Sequence, residues 1–145
     1  MTIVRSTFPE GEAMRALVRA ILVGGLAAGA LLPATAASAS DPVTRSGQCS
    51  GPSPTTWTLR AAEAAGDQAR IIFTVDSPVA NRTWAVRMTR NGNQFFAGQR
   101  TTGPNGNFTV STLGPEINNV ADTYVATARN LTSGVVCRGQ ATLPA

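Results

Sequence analysis

The chain contains no histidine and no lysine, and it has only two cysteines and one tyrosine. Without histidine, neither a Ser-His-Asp nor a Cys-His catalytic arrangement can form, and imidazole metal sites are excluded as well. Without lysine there is no Walker-type phosphate loop, no Schiff base and no Ser-Lys dyad. Acids are also scarce, with Asp and Glu together numbering 8. None of them forms the closely spaced D-x-D-x-D loop that calcium requires. The remaining familiar chemistry is a carboxylate-pair hydrolase, which needs two acids facing one substrate about 5–9.5 Å apart. The acids fall mostly at the ends of expected strands and in turns, where solvation explains them. The sequence therefore predicts a protein that is not an enzyme and that carries no metal or cofactor.

Long hydrophobic runs are limited to one. Ala20–Leu32 (AILVGGLAAGALL) is apolar throughout, follows Arg15 and Arg19, and ends at Pro33. Ala37-Ser38-Ala39 then supplies the small-x-small pattern of a signal peptidase site, predicting cleavage between Ala39 and Ser40. The run is shorter than the ~20 residues that span a bilayer, so no membrane span is expected after processing. Residues 1–13 place Glu10 and Glu12 against Arg5, an unusual n-region, whereas Met14-Arg15 opens a conventional one. Met14 is thus the expected initiator. The resulting organisation is a signal peptide over 1–39, an extended segment with Cys49 over 40–54, and one β domain over 55–145. The expected localisation is secreted and extracellular.

The exported segment carries nine arginines against six carboxylates, a net charge of +3. These arginines are spread singly rather than in a run with interleaved aromatics, which argues against nucleic acid as a partner. Modest basicity is sufficient for attraction to an anionic cell-wall polymer, and another secreted protein is the alternative partner. A monomer is expected. In an oxidising compartment, an even count of two predicts one disulfide, Cys49–Cys137. Asn81, Asn107 and Asn130 begin N-glycosylation sequons. Asn and Thr are so common in β turns and strands that chance accounts for these matches.

After Pro54 the sequence alternates with period two between turn signals. Trp57, Leu59 and Ala61 share one face of the first segment, and Ile71, Phe73 and Val75 share one face of the second. The third places Trp84, Val86 and Met88 inward. Asn91-Gly92 suits a two-residue type I′ hairpin turn, with Gln94–Arg100 as the return strand. Gly103-Pro104-Asn105-Gly106 forms the next turn, followed by Asn107–Leu113. Asp122–Arg129 and Val135–Leu143 close the chain around Ser133-Gly134. Leu59–Arg70 is rich in helix formers, but Gly66-Asp67 in its middle favours a turn between two strands. Seven strands in so short a domain predict an all-β, antiparallel two-sheet sandwich, preceded by a signal-peptide helix.

Two residues give the sandwich a more specific likeness. Asp122-Thr123-Tyr124-Val125-Ala126 resembles the sixth strand of immunoglobulin-like and fibronectin type III domains, where a tyrosine marks the corner. Trp84 is similar to the core tryptophan of that architecture. Ala126 stands where antibody domains carry their second inter-sheet cysteine. Here the bridge would instead join the N-terminal segment to the last strand. The chain as a whole also resembles small secreted proteins of high-GC Gram-positive bacteria.

One constellation points to recognition. With an unbroken ladder from the Asn91-Gly92 turn, Arg87 lies opposite Phe96 and Thr83 opposite Arg100, all facing solvent with Arg129 on the neighbouring strand. Arg87, Phe96, Arg100 and Arg129 then form an amphipathic binding face. The expected role is a non-catalytic binding module at or outside the cell envelope. The alternative is a secreted inhibitor of a hydrolase, with loops 103–106 and 130–134 as its contact points.

Overall fold

The alternation read from the sequence folds as strands in the computed structural model, which describes residues 40–145. The signal peptide expected over 1–39 lies outside the described residues, as does Ala39 of the expected cleavage pair, while Ser40 is the first described. The strands are β1 (Val43–Gln48), β2 (Thr56–Ala64), β3 (Gln68–Asp76), β4 (Thr83–Arg90), β5 (Asn93–Thr101), β6 (Asn107–Pro115), β7 (Asp122–Asn130) and β8 (Val136–Leu143). No helix occurs among the described residues. The strands pair antiparallel in two sheets, ordered β1-β2-β3-β6 and β5-β4-β7-β8.

The eighth strand is β1, which falls within the segment expected only to be extended. It pairs with β2 from Val43↔Ala61 to Gln48↔Thr56. Its sequence, VTRSGQ, has no apolar alternation because it is an edge strand and mostly exposed. The helix-prone stretch is a hairpin between β2 and β3, turning at Gly66 and Asp67 with φ of 77° and 52°. Asn91 and Gly92 also have positive φ, 47° and 86°, as a type I′ turn needs.

Between the sheets the expected core faces meet: Leu59, Ile71, Phe73, Val75, Trp84 and Met88 are all buried, and Val110 and Tyr124 are buried with them. Each fully buried side chain of this size contributes roughly 1.5–3 kcal/mol. Cys49, just past β1, is disulfide-bonded to Cys137 on β8, so the bridge joins one sheet to the other. A buried intrachain disulfide is consistent with an extracellular protein.

The two open sides of the sandwich are closed by aromatics lying on glycines. At the β1/β8 side, a Cβ on Gly139 would stand 2.6 Å from the Trp57 ring, and one on Gly47 would stand 2.8 Å from it. Only glycine permits Trp57 to fill that seam. At the β5/β6 side, Phe95 rests on Gly114 and meets Tyr124 edge to face, with ring centroids 6.0 Å apart.

Candidate functional site

The hairpin β4–β5 decides which residues reach the outer surface of the second sheet. From the turn, Arg90 pairs with Asn93 and Thr89 with Gln94, but Met88 then pairs with Phe96. Phe95 is the extra residue of a β-bulge. The bulge moves every later residue of β5 by one position, which transfers it to the other face. Arg87 therefore faces Ala97, not Phe96, and Trp84, not Thr83, faces Arg100.

This corrects the expected binding face. Phe96 sits on the side of Met88 and packs against the core. Arg100 stays exposed at that same side of the edge strand, with its guanidinium 5.6 Å from the Phe96 ring centroid. The physical reason lies in the Phe95-Phe96 doublet. A regular strand would send one of two adjacent phenylalanines into water, whereas the bulge lets both pack inward. The doublet in an alternating strand was the available signal.

Arg87 and Arg129 do share the outer face. Arg87 pairs with Thr127, and Arg129 with Ala85 and Val136. Sequence reasoning missed Arg138, which pairs with Thr127 from the other side and places a third guanidinium on this surface. All three are exposed. Among the described residues, none has a carboxylate within salt-bridge distance, since the ion pair found is Arg90–Asp122. The four strands contain one acid, Asp122, and it is fully buried. The outer face of this sheet is therefore purely cationic. Ala85, Ala97, Thr127 and Gln99, small or neutral, leave a shallow depression of ≈ 640 Å³ beside Arg87 and Arg129.

Asp122 is used structurally, at the opposite end from the disulfide. It accepts hydrogen bonds from Arg90 Nε (2.7 Å), Asn91 Nδ2 (2.8 Å) and the Ile117 N–H (2.8 Å). Burial acts to raise its pKa, but these donors and the Arg90 charge outweigh it and hold the carboxyl below its ordinary value. Glu116 shows the reverse. Burial and the repulsion of Glu63, Asp122 and Asp67 push its carboxyl up. Burial, with the negative charges of Asp122 and Glu116, also pushes the Tyr124 phenol up, and its hydroxyl donates to Pro115 O at 2.8 Å.

Among the described residues, no cluster of Cys, Asp and Glu could hold a metal ion. Nor does any described helix have the length and hydropathy to cross a membrane. The Asn130 sequon is occupied internally, because Asn130 is buried and its Oδ1 accepts the N–H groups of Thr132 and Ser133. No protein-family model matches the chain, and neither a curated protein nor a solved structure is significantly similar to it.

Proposed function

We propose that the chain is a secreted, non-catalytic, immunoglobulin-like β-sandwich that docks on an anionic cell-envelope polymer through the outer face of β4, β7 and β8. The observation that carries this reading is the set of three guanidiniums, Arg87, Arg129 and Arg138, that among the described residues have no carboxylate partner and share a sheet face without an acid. Guanidinium groups match phosphate and carboxylate oxygens in geometry as well as charge. A regular array of phosphodiester or carboxylate groups can engage several of them at once, and each attachment then raises the effective concentration for the next. The small floor lets such a chain approach the sheet. Supporting the immunoglobulin-like reading are Trp84 in the core of β4 and the hydrogen bond from the Tyr124 hydroxyl to the backbone upstream of β7.

Cosedimentation of the purified protein with isolated Gram-positive cell wall, across a salt series, tests the proposal. The expected result is pelleting at low ionic strength that weakens steadily as salt rises, because exposed charges are screened over about 10 Å at 0.1 M. Salt-insensitive pelleting would overturn the electrostatic docking, and inhibition of a secreted protease or amylase without pelleting would overturn it in favour of the inhibitor alternative.

A further inference from the structure

The end of the sandwich opposite the disulfide carries an uncovered apolar surface. The connection between β6 and β7 turns over Ile117–Val120, where the Val120 N–H donates to Ile117 O at 3.3 Å and Asn119 has a φ of 62°. Ile117 and Val120, at the two ends of that turn, are 52% and 49% exposed. They are not loosely held. The Ile117 N–H donates to Asp122 Oδ2 at 2.8 Å, the Glu116 N–H to Asp67 O at 3.0 Å, and Asn118 Nδ2 to Asp67 Oδ1. Single exposed aliphatics need no explanation, but two on one pinned turn form an apolar knob that a partner surface can cover.

Acids surround the knob. Asp67 is exposed and Glu63 and Glu116 are half-buried, and among the described residues none of the three has a cation within salt-bridge distance. Burial, and then repulsion from Glu63, Asp122 and Asp67, pushes the Glu116 carboxyl up despite the charge of Arg90. A cation brought by a partner is therefore favoured here. The same chain bears the complement. The depression on the second sheet has Ala85 and Ala97 in its floor and Arg87 and Arg129 at its border, with Arg138 on the next strand. Three guanidiniums without carboxylates thus match three carboxylates without cations. Within one copy they cannot meet, because the knob is at the end of the sandwich and the depression lies on the outer face of a sheet.

We propose that the knob of one copy seats in the depression of a second, giving a weak head-to-tail association. Ile117 and Val120 cover Ala85 and Ala97, while Glu63, Asp67 and Glu116 face Arg87, Arg129 and Arg138. Complementary charge sets the orientation of such a contact. The contact is heterologous: each pairing leaves one knob and one depression free, so assembly continues past the dimer. Its size places it with small, transient interfaces, for which a Kd of roughly 0.1–1 mM is expected. The monomer expected from the sequence is then the dilute state. Polymer docking is not needed for this association, although both use the arginine face.

Sedimentation of the purified, oxidised protein over a concentration series, with no polymer present, tests this. At low ionic strength the average mass of the native protein should rise with concentration beyond the dimer, and salt should return it to the monomer. Ile117→Ser/Val120→Ser and Arg87→Ala/Arg129→Ala should each associate at least about tenfold more weakly, as lost apolar cover and lost charge pairing imply. An equimolar mixture of the two variants should form a 1:1 dimer and nothing larger, because one supplies the intact depression and the other the intact knob. On dilution of the native protein, the amide resonances that move should be those of 116–120 together with the outward positions of β4 and β7. A native mass that stays at the monomer up to about 3 mM, well above the expected Kd, would overturn the proposal. So would a native mass that stops at the dimer, a variant mixture that stays monomeric, or dilution shifts that spare the 116–120 turn. Since polymer is absent, each of these failures leaves polymer docking standing.

Discussion

At the scale of single residues, the ionisable groups divide by what surrounds them. Asp122 is a buried carboxylate whose oxygens are met by a guanidinium, an amide and a backbone N–H, so the folded state favours its ionised form. A carboxyl held below its unfolded value, about 3.9, adds stability above that pH and loses it as pH falls through the lower folded value. Denaturant titration from pH 7 to pH 2 should show this loss. Asp122→Asn should destabilise by about 3 kcal/mol at pH 7, because it leaves Arg90 without its counter-charge, and it should flatten the acid limb. Glu116 has the opposite sign. Its raised pKa means that the ionised form is penalised in the fold at neutral pH and that the penalty vanishes as pH falls. Glu116→Gln should therefore stabilise by a few tenths of a kcal/mol, roughly the scale of half-exposed charge effects, at pH 7 and not near pH 4. Neither role was visible in the sequence, where Asp122 and Glu116 are simply two acids near a turn. Their partners Arg90, Asn91, Glu63 and Asp67 come from other strands and turns.

At the scale of elements, most strands were legible because period-two alternation and turn residues are local signals. The β3 and β4 core faces, and the Asn91-Gly92 turn, follow from adjacent residues alone. What was hidden depended on pairing. β1 shows no apolar pattern and exists because β2 offers it an edge. The bulge at Phe95 is set by what lies across the sandwich, namely Tyr124 and Gly114, and it reverses the face of Phe96 and Arg100. Phe96→Ala distinguishes the two registers. With the bulge it removes a ring packed on the core and should cost about 1–3 kcal/mol, less than the full ~3–5 of a buried phenylalanine because the ring is half-buried. In the unbroken register it would cost next to nothing. Gly139→Ala, measured by the same denaturation, should destabilise by about 1–3 kcal/mol as Cβ is driven into the Trp57 ring. That glycine's importance could not be inferred from β8 alone.

At the scale of the whole molecule, two sheets, sealed at their seams by Trp57 and Phe95 and bridged by Cys49–Cys137, form a stiff platform with distinct surfaces. Reduction of the bridge should lower stability by about 4–5 kcal/mol on the chain-entropy account, given a sequence separation of 88 between the cysteines. The candidate site was only partly legible. Arg87 and Arg129 were placed on one face by alternation, but Arg138 joins them only through the pairing of β7 with β8. The charge of this face is collective, arising from three strands that bring cations and no exposed acid. Exposed arginines away from the core contribute little to folding, so their replacement isolates binding from stability. The most direct measurement is therefore an amide-resonance titration with a soluble glycerol-phosphate polymer, comparing the native protein with Arg87→Ala/Arg129→Ala/Arg138→Ala. The account predicts shifts confined to the outward positions of β4, β7 and β8, at least about tenfold weaker binding in the triple variant, and unchanged stability. Shifts centred on the β1-β2-β3-β6 sheet, or undiminished binding by the triple variant, would contradict it.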